Sequence, residues 1–388
     1  ALIALAPNLV SADPLVAFEE AIGAHPAVAE ASANLRAAEF RQSSVFSANW
    51  RPRLDLSLSV GRQRYESASL SPGQSAPTLN TARYSAVLTQ PIYDFGKSDA
   101  SGREQDGLVA EREALLGDVI ESVKLDALLS LVSVHQANAA EVYAKRSLES
   151  VSQQTAIETT RVDLGTGYES SVLQAKVQLS AAAARLRRAE GAVQVASAQQ
   201  ETAFGGPVPA PLADVVLRPK SIALPESLSE ALSAAESTSL KLAALSSQGS
   251  ATRARAESLQ LAATRPRIEL VGELSQRENV DAIAASGRLN DRKVSLQATY
   301  SFNLAGGDIA QADAVFEEVK GNASQLASVL AGVRQSTTIA WRNLETARFN
   351  EDTLSNQVRI AAKFFEAVSA ERAIGRRTPL DLSNAEVS

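Results

Sequence analysis

The 388-residue sequence contains no cysteine and no methionine, and it has only two histidines. Without cysteine, these residues cannot supply a disulfide, a thiolate metal site, a cysteine nucleophile or an N-terminal lipidated cysteine. His25 and His135 have no ligand cluster near them in the sequence, so we expect packing or surface roles for both. A usable Ser, His and Asp arrangement and a P-loop pattern are also lacking. The sequence therefore predicts neither an enzyme nor a bound cofactor or metal.

Long apolar runs and a strong charge of one sign are lacking too. After the N-terminus, no stretch approaches the roughly 18 apolar residues that a membrane-spanning helix needs, so any membrane crossing must be made by strands. The net charge of -6 gives no sign of a nucleic-acid surface. Residues 1–12 (ALIALAPNLVSA) are apolar and end in small residues, which predicts a signal-peptide remnant, with a frayed apolar terminus as the alternative.

The sequence contains an internal repeat. Residues 84–96 (YSAVLTQPIYDFG) and 294–307 (VSLQATYSFNLAGG) each alternate apolar and polar positions before a glycine, as a two-faced strand does. Each follows another alternating segment that opens with Arg-Pro-Arg, at 51–61 and at 265–273. Two pairs of glycines share the same offset in the sequence, which indicates an internal duplication. The pairs are Gly96 with Gly306 and Gly165 with Gly375.

The duplication predicts the domain organisation. We expect the first repeat, residues 13–204, to contain helices, a strand pair, a long helix from Lys97 to Leu164 and a return helix. Residues 205–225 are rich in proline and predict a connector. The second repeat, residues 226–388, follows the same order, but its return helix is expected to be missing through truncation or disorder.

Loops and bends are predicted where the pattern changes. Polar segments at 65–83 and 276–292 predict loops between paired strands. Five glycines are expected to form the bends between strand and helix or between helices, because glycine adopts left-handed backbone geometry without a steric penalty. They are Gly96, Gly165, Gly167, Gly306 and Gly375.

The long helix predicted after Lys97 is polar around much of its surface. At 1.5 Å per residue it would extend about 100 Å, and no single globular core needs such a rod. Its stability must come from packing beside other helices, as in a coiled coil or an α-barrel. The strands have about ten residues each, enough to cross an outer membrane when tilted, but four strands cannot close a barrel. Several copies must therefore pool their strands.

The order of these segments resembles the TolC family of outer-membrane channel proteins over residues 13–388. The most specific stretches are QPIYDFG at 90–96, LGTGYESSVLQAK at 164–176 and IGRRTPLDLSNAE at 374–386. The resemblance implies a mixed α and β homotrimer in which each protomer gives four strands to one shared twelve-stranded β-barrel, continued by a long periplasmic α-helical barrel. It also implies a location in the bacterial outer membrane. The implied partners are a periplasmic adaptor (membrane fusion protein) and an inner-membrane ABC or proton-driven transporter.

In this family the turn that ends each long helix lies at the periplasmic tip and holds a gate shut. Alignment on Gly375 places the family's gate arginine at Arg377. The family's gate aspartate falls on Ser171, with Ser170 before it, so that either Glu169 or a weaker hydrogen bond would hold Arg377. The acidic positions of the pore constriction fall on Asp381 and Asn384.

Simpler interpretations of these residues stay open. Arg377 follows Arg376, and a solvated charge pair near a helix C-terminus is compatible with the pattern, as is a stabilising acid near a helix N-terminus for Asp381. We predict an exit channel for type I protein secretion, because LGTGYESSVLQAK looks similar to relatives that serve secretion and no cysteine is available for acylation. The alternatives are the outer-membrane component of a drug or metal efflux pump and, from a different class, a periplasmic adaptor or coiled-coil structural protein.

Overall fold

The computed structural model describes residues 14–64, 78–209, 212, 224–279, 287–301 and 303–387. The predicted signal-peptide remnant, residues 1–12, lies outside these ranges, as does most of the predicted connector at 205–225. The first half contains α1 (Pro14–Gly23), α2 (Pro26–Trp50), β1 (Arg53–Arg64), β2 (Thr78–Tyr93), α3 (Lys97–Asp163) and α4 (Glu169–Ala203). The second half contains α5 (Leu228–Thr238), α6 (Leu240–Thr264), β3 (Arg267–Glu278), β4 (Arg288–Thr299), α7 (Gly307–Ala373) and α8 (Pro379–Val387).

Both halves use matching elements in the same order. Helices α2 and α6 each have 25 residues, and α3 and α7 each have 67. The elements after the strand connections, β4, α7 and α8, follow β2, α3 and α4 at the same offset that relates the paired glycines. The elements before them are offset slightly further, because the connection between the paired strands is shorter in the second half. From the first helix of each repeat to the end of its long helix, the two repeats therefore differ in length mainly at this connection.

The strands form one antiparallel sheet in the order β1-β2-β3-β4, so β1 and β4 are its edges. The apolar positions of the alternating pattern share one face, and their side chains are exposed in the protomer. They are Leu54, Leu56, Leu58, Val60, Leu88, Leu274, Val294 and Leu296. The opposite face is more polar, and on it the hydroxyls of Ser57 and Ser85 share a hydrogen bond of 2.7 Å.

The strand ends differ from the sequence prediction. We expected loops at 65–83 and 276–292, but residues 78–83, 276–278 and 288–292 belong to β2, β3 and β4. Polar residues hide this extension, because apolar alternation marks only the part of a strand with one apolar face. At the other end, β4 stops at Thr299 although the alternation continues to Leu304. There the side-chain oxygen of Asn303 accepts a hydrogen bond of 2.9 Å from the N–H of Ala305 and forms a turn.

A glycine in left-handed geometry precedes each long helix. The φ angle is 92° at Gly96 and 73° at Gly306. In the first half, the carboxylate of Asp94 accepts hydrogen bonds from the hydroxyl and the N–H of Ser98, the latter at 2.9 Å. This carboxylate satisfies a donor that the first turn of α3 would otherwise leave open.

The helices pack within two compact units, each of which draws on both repeats. The first unit comprises Ala1–Ala31, Leu116–Ser239 and Ala331–Ser388. Its main apolar cluster joins α1, α2 and α3, and the rings of Phe18 and Phe204 meet edge to face at 6.1 Å within it. The second unit comprises Ser32–Leu115 and Leu240–Leu330. None of the helices in the described ranges is long and apolar enough to cross a membrane.

Candidate functional site

The long helices α3 and α7 end in turns with the same backbone geometry. In the first turn, Gly165 has φ of 73°, and its N–H donates to the carbonyl of Val162 at 2.9 Å. The N–H of Thr166 donates to the carbonyl of Arg161, also at 2.9 Å. The second turn repeats both bonds at 2.8 and 2.9 Å, around Gly375 with φ of 76°. Each is a Schellman motif, which satisfies the last carbonyls of a helix and favours glycine at its left-handed position.

The first turn is compact and gives the next helix no side-chain cap. A Cβ on Gly167 would lie 3.0 Å from a methyl carbon of Val162, so a larger residue would force this turn to shift. Helix α4 begins after Tyr168, whose side chain makes no capping hydrogen bond. Of the residues predicted for the gate, Glu169 and Ser170 lie exposed at the N-terminal end of α4, and Ser171 is half-buried.

The second turn gives the next helix a reciprocal cap. The carboxylate of Asp381 accepts hydrogen bonds from the N–H of Thr378 at 3.0 Å and from its hydroxyl at 2.9 Å. The hydroxyl of Thr378 in turn accepts one from the N–H of Asp381 at 3.2 Å. This pattern is a capping box with aspartate in place of the usual glutamate. The bonds from Thr378, helped by the charge of Arg377, hold the pKa of Asp381 below its usual value.

Asp381 is thus a helix-capping acid within the protomer, which is the simpler of the two roles expected from the sequence. Asn384, the second residue predicted for the pore constriction, lies exposed on α8 nearly one turn further on. The two side chains therefore share one end of the same short helix.

Arg377 is paired with its own preceding helix. Its Nε donates to the carboxylate of Glu371 at 2.7 Å, and both side chains are nearly half-exposed. This hydrogen bond raises the pKa of Arg377 above its usual value. We expected Glu169, or a weaker hydrogen bond at Ser171 or Ser170, to hold this arginine, but within the described part of one protomer its ion pair is with Glu371. The reason is proximity, because Glu371 lies in the last turn of α7 and Arg377 folds back beside it.

A cavity of about 400 Å³ lies between the second turn and the hairpin of α3 and α4. Polar side chains line much of it. Helix α3 contributes Gln154, Thr155 and Glu158, helix α4 contributes Ser171, Gln174 and Gln178, and the second turn contributes Arg377 and Thr378. The structure therefore brings to one cavity Arg377 and Ser171, the two positions that the alignment matched to the gate pair, although no direct bond joins them among the described contacts.

The most buried charge at this cavity is one that the sequence did not single out. Glu158 is 3% exposed, and it accepts hydrogen bonds from Arg161 and Arg372, each at 3.3 Å. Arg372 belongs to α7 and is 17% exposed, so this ion pair joins the two long helices inside the first unit. The Nη1 atom of Arg372 is buried without a hydrogen-bond partner among the described residues. The repeat-equivalent positions carry Val368 and Val162, so these two charges are not part of the repeated pattern.

Comparison with known proteins places this geometry in a family. Residues 17–206 match the family model described as outer membrane efflux protein. The outer membrane efflux protein BepC of Brucella suis is 25% identical over 327 residues, which cover 82% of this chain and 69% of BepC. The fold is similar to that of the CmeC outer membrane channel of Campylobacter jejuni, with a TM-score of 0.81, 15% identity, and coverage of 96% of this chain and 79% of CmeC. It is also similar to the open state of the MtrE outer membrane channel of Neisseria gonorrhoeae, with a TM-score of 0.72, 17% identity, and coverage of 96% and 82%.

Residues 17–206 thus match the outer membrane efflux protein family, which is the TolC-type family that the sequence resembles. Its four antiparallel strands and long paired helices form the fold of outer-membrane channels, so the predicted fold class is confirmed. It is a protein of the bacterial outer membrane that extends into the periplasm. Members of this family are channel components, which decides against the alternative of a periplasmic adaptor.

Proposed function

We propose that this protein is the outer-membrane exit channel of a tripartite export machine and that it works as a homotrimer. The observation that carries this proposal is the sheet, which exposes one apolar face and has open edges at β1 and β4. An open edge in lipid leaves backbone groups unsatisfied, each at a cost of several kcal/mol. Pairing β4 of one copy with β1 of the next removes these edges. Three copies then give twelve strands, an even number typical of bacterial outer-membrane barrels.

Extraction and conductance test this proposal. The protein should require detergent, run as a heat-sensitive oligomer on gels and conduct ions across a planar bilayer. Leu56→Arg places a charge on the apolar face, where it costs about 2–4 kcal/mol near the bilayer midplane, so less oligomer should reach the membrane. The matched control, Ser57→Arg on the polar face, should assemble normally. A water-soluble monomer would contradict the proposal.

The glycine turns form the closed periplasmic tip of this channel. Arg377, Ser171, Ser170 and Glu169 are the gate residues, and Asp381 and Asn384 form the constriction, where three copies of an acid favour cations. Support comes from the shared cavity of Arg377 and Ser171, and from the open state recorded for the similar channel MtrE.

Charge reversal tests the gate. Arg377→Glu puts a third carboxylate beside Glu371 and Asp381, so repulsion should loosen the tip and increase single-channel conductance. Arg376→Glu changes the same charge one position earlier and serves as the control. Identical conductance in the wild type and in Arg377→Glu would remove Arg377 from the gate.

The proposed route is type I protein secretion, with energy supplied by an inner-membrane ABC transporter through a periplasmic adaptor. Its support is the similarity of residues 164–176 to relatives that serve secretion. Small-molecule efflux through a proton-driven transporter is the second candidate, favoured by the description of BepC as an efflux protein. A deletion strain separates them. Loss of an exported protein with unchanged drug and metal tolerance supports secretion, and the reverse result supports efflux.

A further inference from the structure

The apolar face of the sheet becomes polar near one end. On β1 the last apolar residue is Val60, and the next residue on the same face is Arg62. On β4 the corresponding residues are Val294 and Arg292. The central strands change at Ala82 and Asn80 on β2, and at Leu274 and Gln276 on β3. The helices join the strands at the opposite end and extend into the periplasm, so this boundary lies toward the outside of the cell.

The boundary runs obliquely across the paired strands, as a membrane surface does across tilted strands. Val60 pairs with Ala82, so β1 and β2 change together. The partner of Ala82 on β3 is already the polar Glu278, and β3 becomes apolar only from Leu274 toward the helices. The partner of Leu274 on β4 is Arg292. Because barrel strands tilt by about 35–45°, residues paired across them lie at different depths, so Arg292 lies at the boundary although it pairs with an apolar residue.

Positive charge at this boundary is concentrated on the two edge strands. Each edge carries two exposed arginines on this face, which are Arg62 and Arg64 on β1 and Arg288 and Arg292 on β4. On the described strands, Glu278 is the one acid on this part of the face, and its carboxylate accepts hydrogen bonds from Arg288 at 2.6 and 2.8 Å. The Nε of Arg62 donates to the side-chain oxygen of Asn80 at 3.0 Å. The boundary therefore has more positive charge than its own acid neutralises.

The proposed pairing of copies brings the two basic edges together. Strand β4 of one copy then lies next to β1 of the next copy, and neighbouring strands are about 5 Å apart. Since the boundary has one level around a barrel, Arg292 of one copy lies beside Arg62 of the next. Like charges directly opposite each other on paired strands are destabilising. The junction therefore needs an anion, and neither edge forms the whole cluster alone.

We propose that each junction between copies binds the phosphate groups of a phosphorylated glycolipid in the outer leaflet of the membrane. Arginine side chains form paired hydrogen bonds with phosphate oxygens, and the cluster offers several of them at one site. Next to the arginines, Val60 and Val294 are exposed and offer an apolar surface to acyl chains. This arrangement fits both parts of such a lipid, whereas free phosphate would use the arginines alone. The inference rests on the proposed function, which supplies the junction.

Lipid binding to the intact oligomer tests this inference. The double variant Arg62→Gln with Arg292→Gln is purified in detergent beside the wild type and titrated with diphosphoryl lipid A, and native mass spectrometry counts the bound lipid. The wild type should retain lipid at each junction, and the variant should bind it at least about tenfold more weakly, because two charge-assisted partners are lost. The matched control is Arg83→Gln with Lys293→Gln, which removes the same charge from the opposite face of the sheet. The control should bind lipid A as the wild type does.

The outcomes keep this inference apart from the proposed function. An intact oligomer in which the Arg62 and Arg292 variant binds lipid A as tightly as the wild type overturns the inference and leaves the channel in place. Equal weakening in the control also overturns it, because binding would then follow total charge. A third contrary result is that inorganic phosphate, or lipid A after enzymatic dephosphorylation, raises the dissociation temperature of the oligomer as much as diphosphoryl lipid A does. A wild type that forms no oligomer overturns the proposed function, and the junction with it.

Discussion

The first turn (residues 161–171) and the second turn (residues 371–381) close with the same pair of backbone hydrogen bonds, around glycines with φ of 73° and 76°. Their side chains differ at nearly every position that could act on a neighbour. The first turn is compact at Gly167 and uncapped at Tyr168, whereas the second carries Arg377 and the capping box of Thr378 and Asp381. The Schellman motif fixes the backbone after a duplication. It leaves the side chains free to take separate roles.

The repeats also differ within the long helices, shortly before the two turns. Glu158 and Arg372 form a buried ion pair between α3 and α7, and the equivalent positions carry Val368 and Val162. Val368 is 2% exposed, so the position equivalent to Glu158 is buried without a charge. Each repeat therefore has one charged residue and one valine at these two positions.

The largest effect is expected from breaking the buried ion pair. Glu158→Leu leaves Arg372 without its carboxylate partner, and an unpaired buried charge costs about 3 kcal/mol or more. The temperature at which the oligomer dissociates in detergent should fall clearly below that of the wild type. The double variant Glu158→Leu with Arg372→Met supplies the control, because replacing both charges with apolar groups of similar volume is often close to neutral. If the double variant is as unstable as the single one, charge is not the reason for the loss.

The contrast between the two turns also shows which features of the structure can be predicted from the sequence. The glycine positions, the repeat order and the alternating strands follow from local patterns, which depend on backbone geometry near each residue. The pairing of Glu158 with Arg372 depends on two helices meeting across a long stretch of sequence, and no local pattern contains that information. The ion pair of Arg377 within the protomer was not predicted either. A family alignment points to the neighbouring hairpin, whereas the nearest carboxylate belongs to Glu371 in the preceding helix.

A smaller effect is expected from the shared glycines. Gly165→Ala and Gly375→Ala should each cost about 1–2 kcal/mol, because a left-handed backbone is unfavourable for alanine. At both positions no heavy atom lies within 4 Å of an added Cβ, so backbone strain is the whole cost and the two values should agree. The cost of Gly167→Ala should differ from these two values, because its Cβ would lie 3.0 Å from a methyl carbon of Val162. Thermal unfolding followed by circular dichroism measures all three, and clearly unequal values for the first two would show that the turns do not share one backbone.

The smallest effect is expected from the cap that only the second turn has. The pKa of Asp381 is lowered in the folded chain by its bonds from Thr378, so its contribution is complete above the unfolded value of about 3.9. It is lost as the pH falls through the lower folded value. Amide hydrogen exchange should therefore show that the N-terminal end of α8 opens more readily when the pH falls below about 4, whereas the N-terminal end of α4 does not.

Substitutions at equivalent positions isolate that carboxylate. Asp381→Ala should open the start of α8 at neutral pH as well, and Asp381→Asn should retain part of the protection because its amide oxygen still accepts hydrogen bonds. Ser171→Ala, at the equivalent position of the first turn, should leave the start of α4 unchanged, since no side chain caps that helix. If Ser171→Ala opened α4 as much as Asp381→Ala opens α8, then the first turn would possess a cap of its own. The difference between the two turns would then be one of residue type alone.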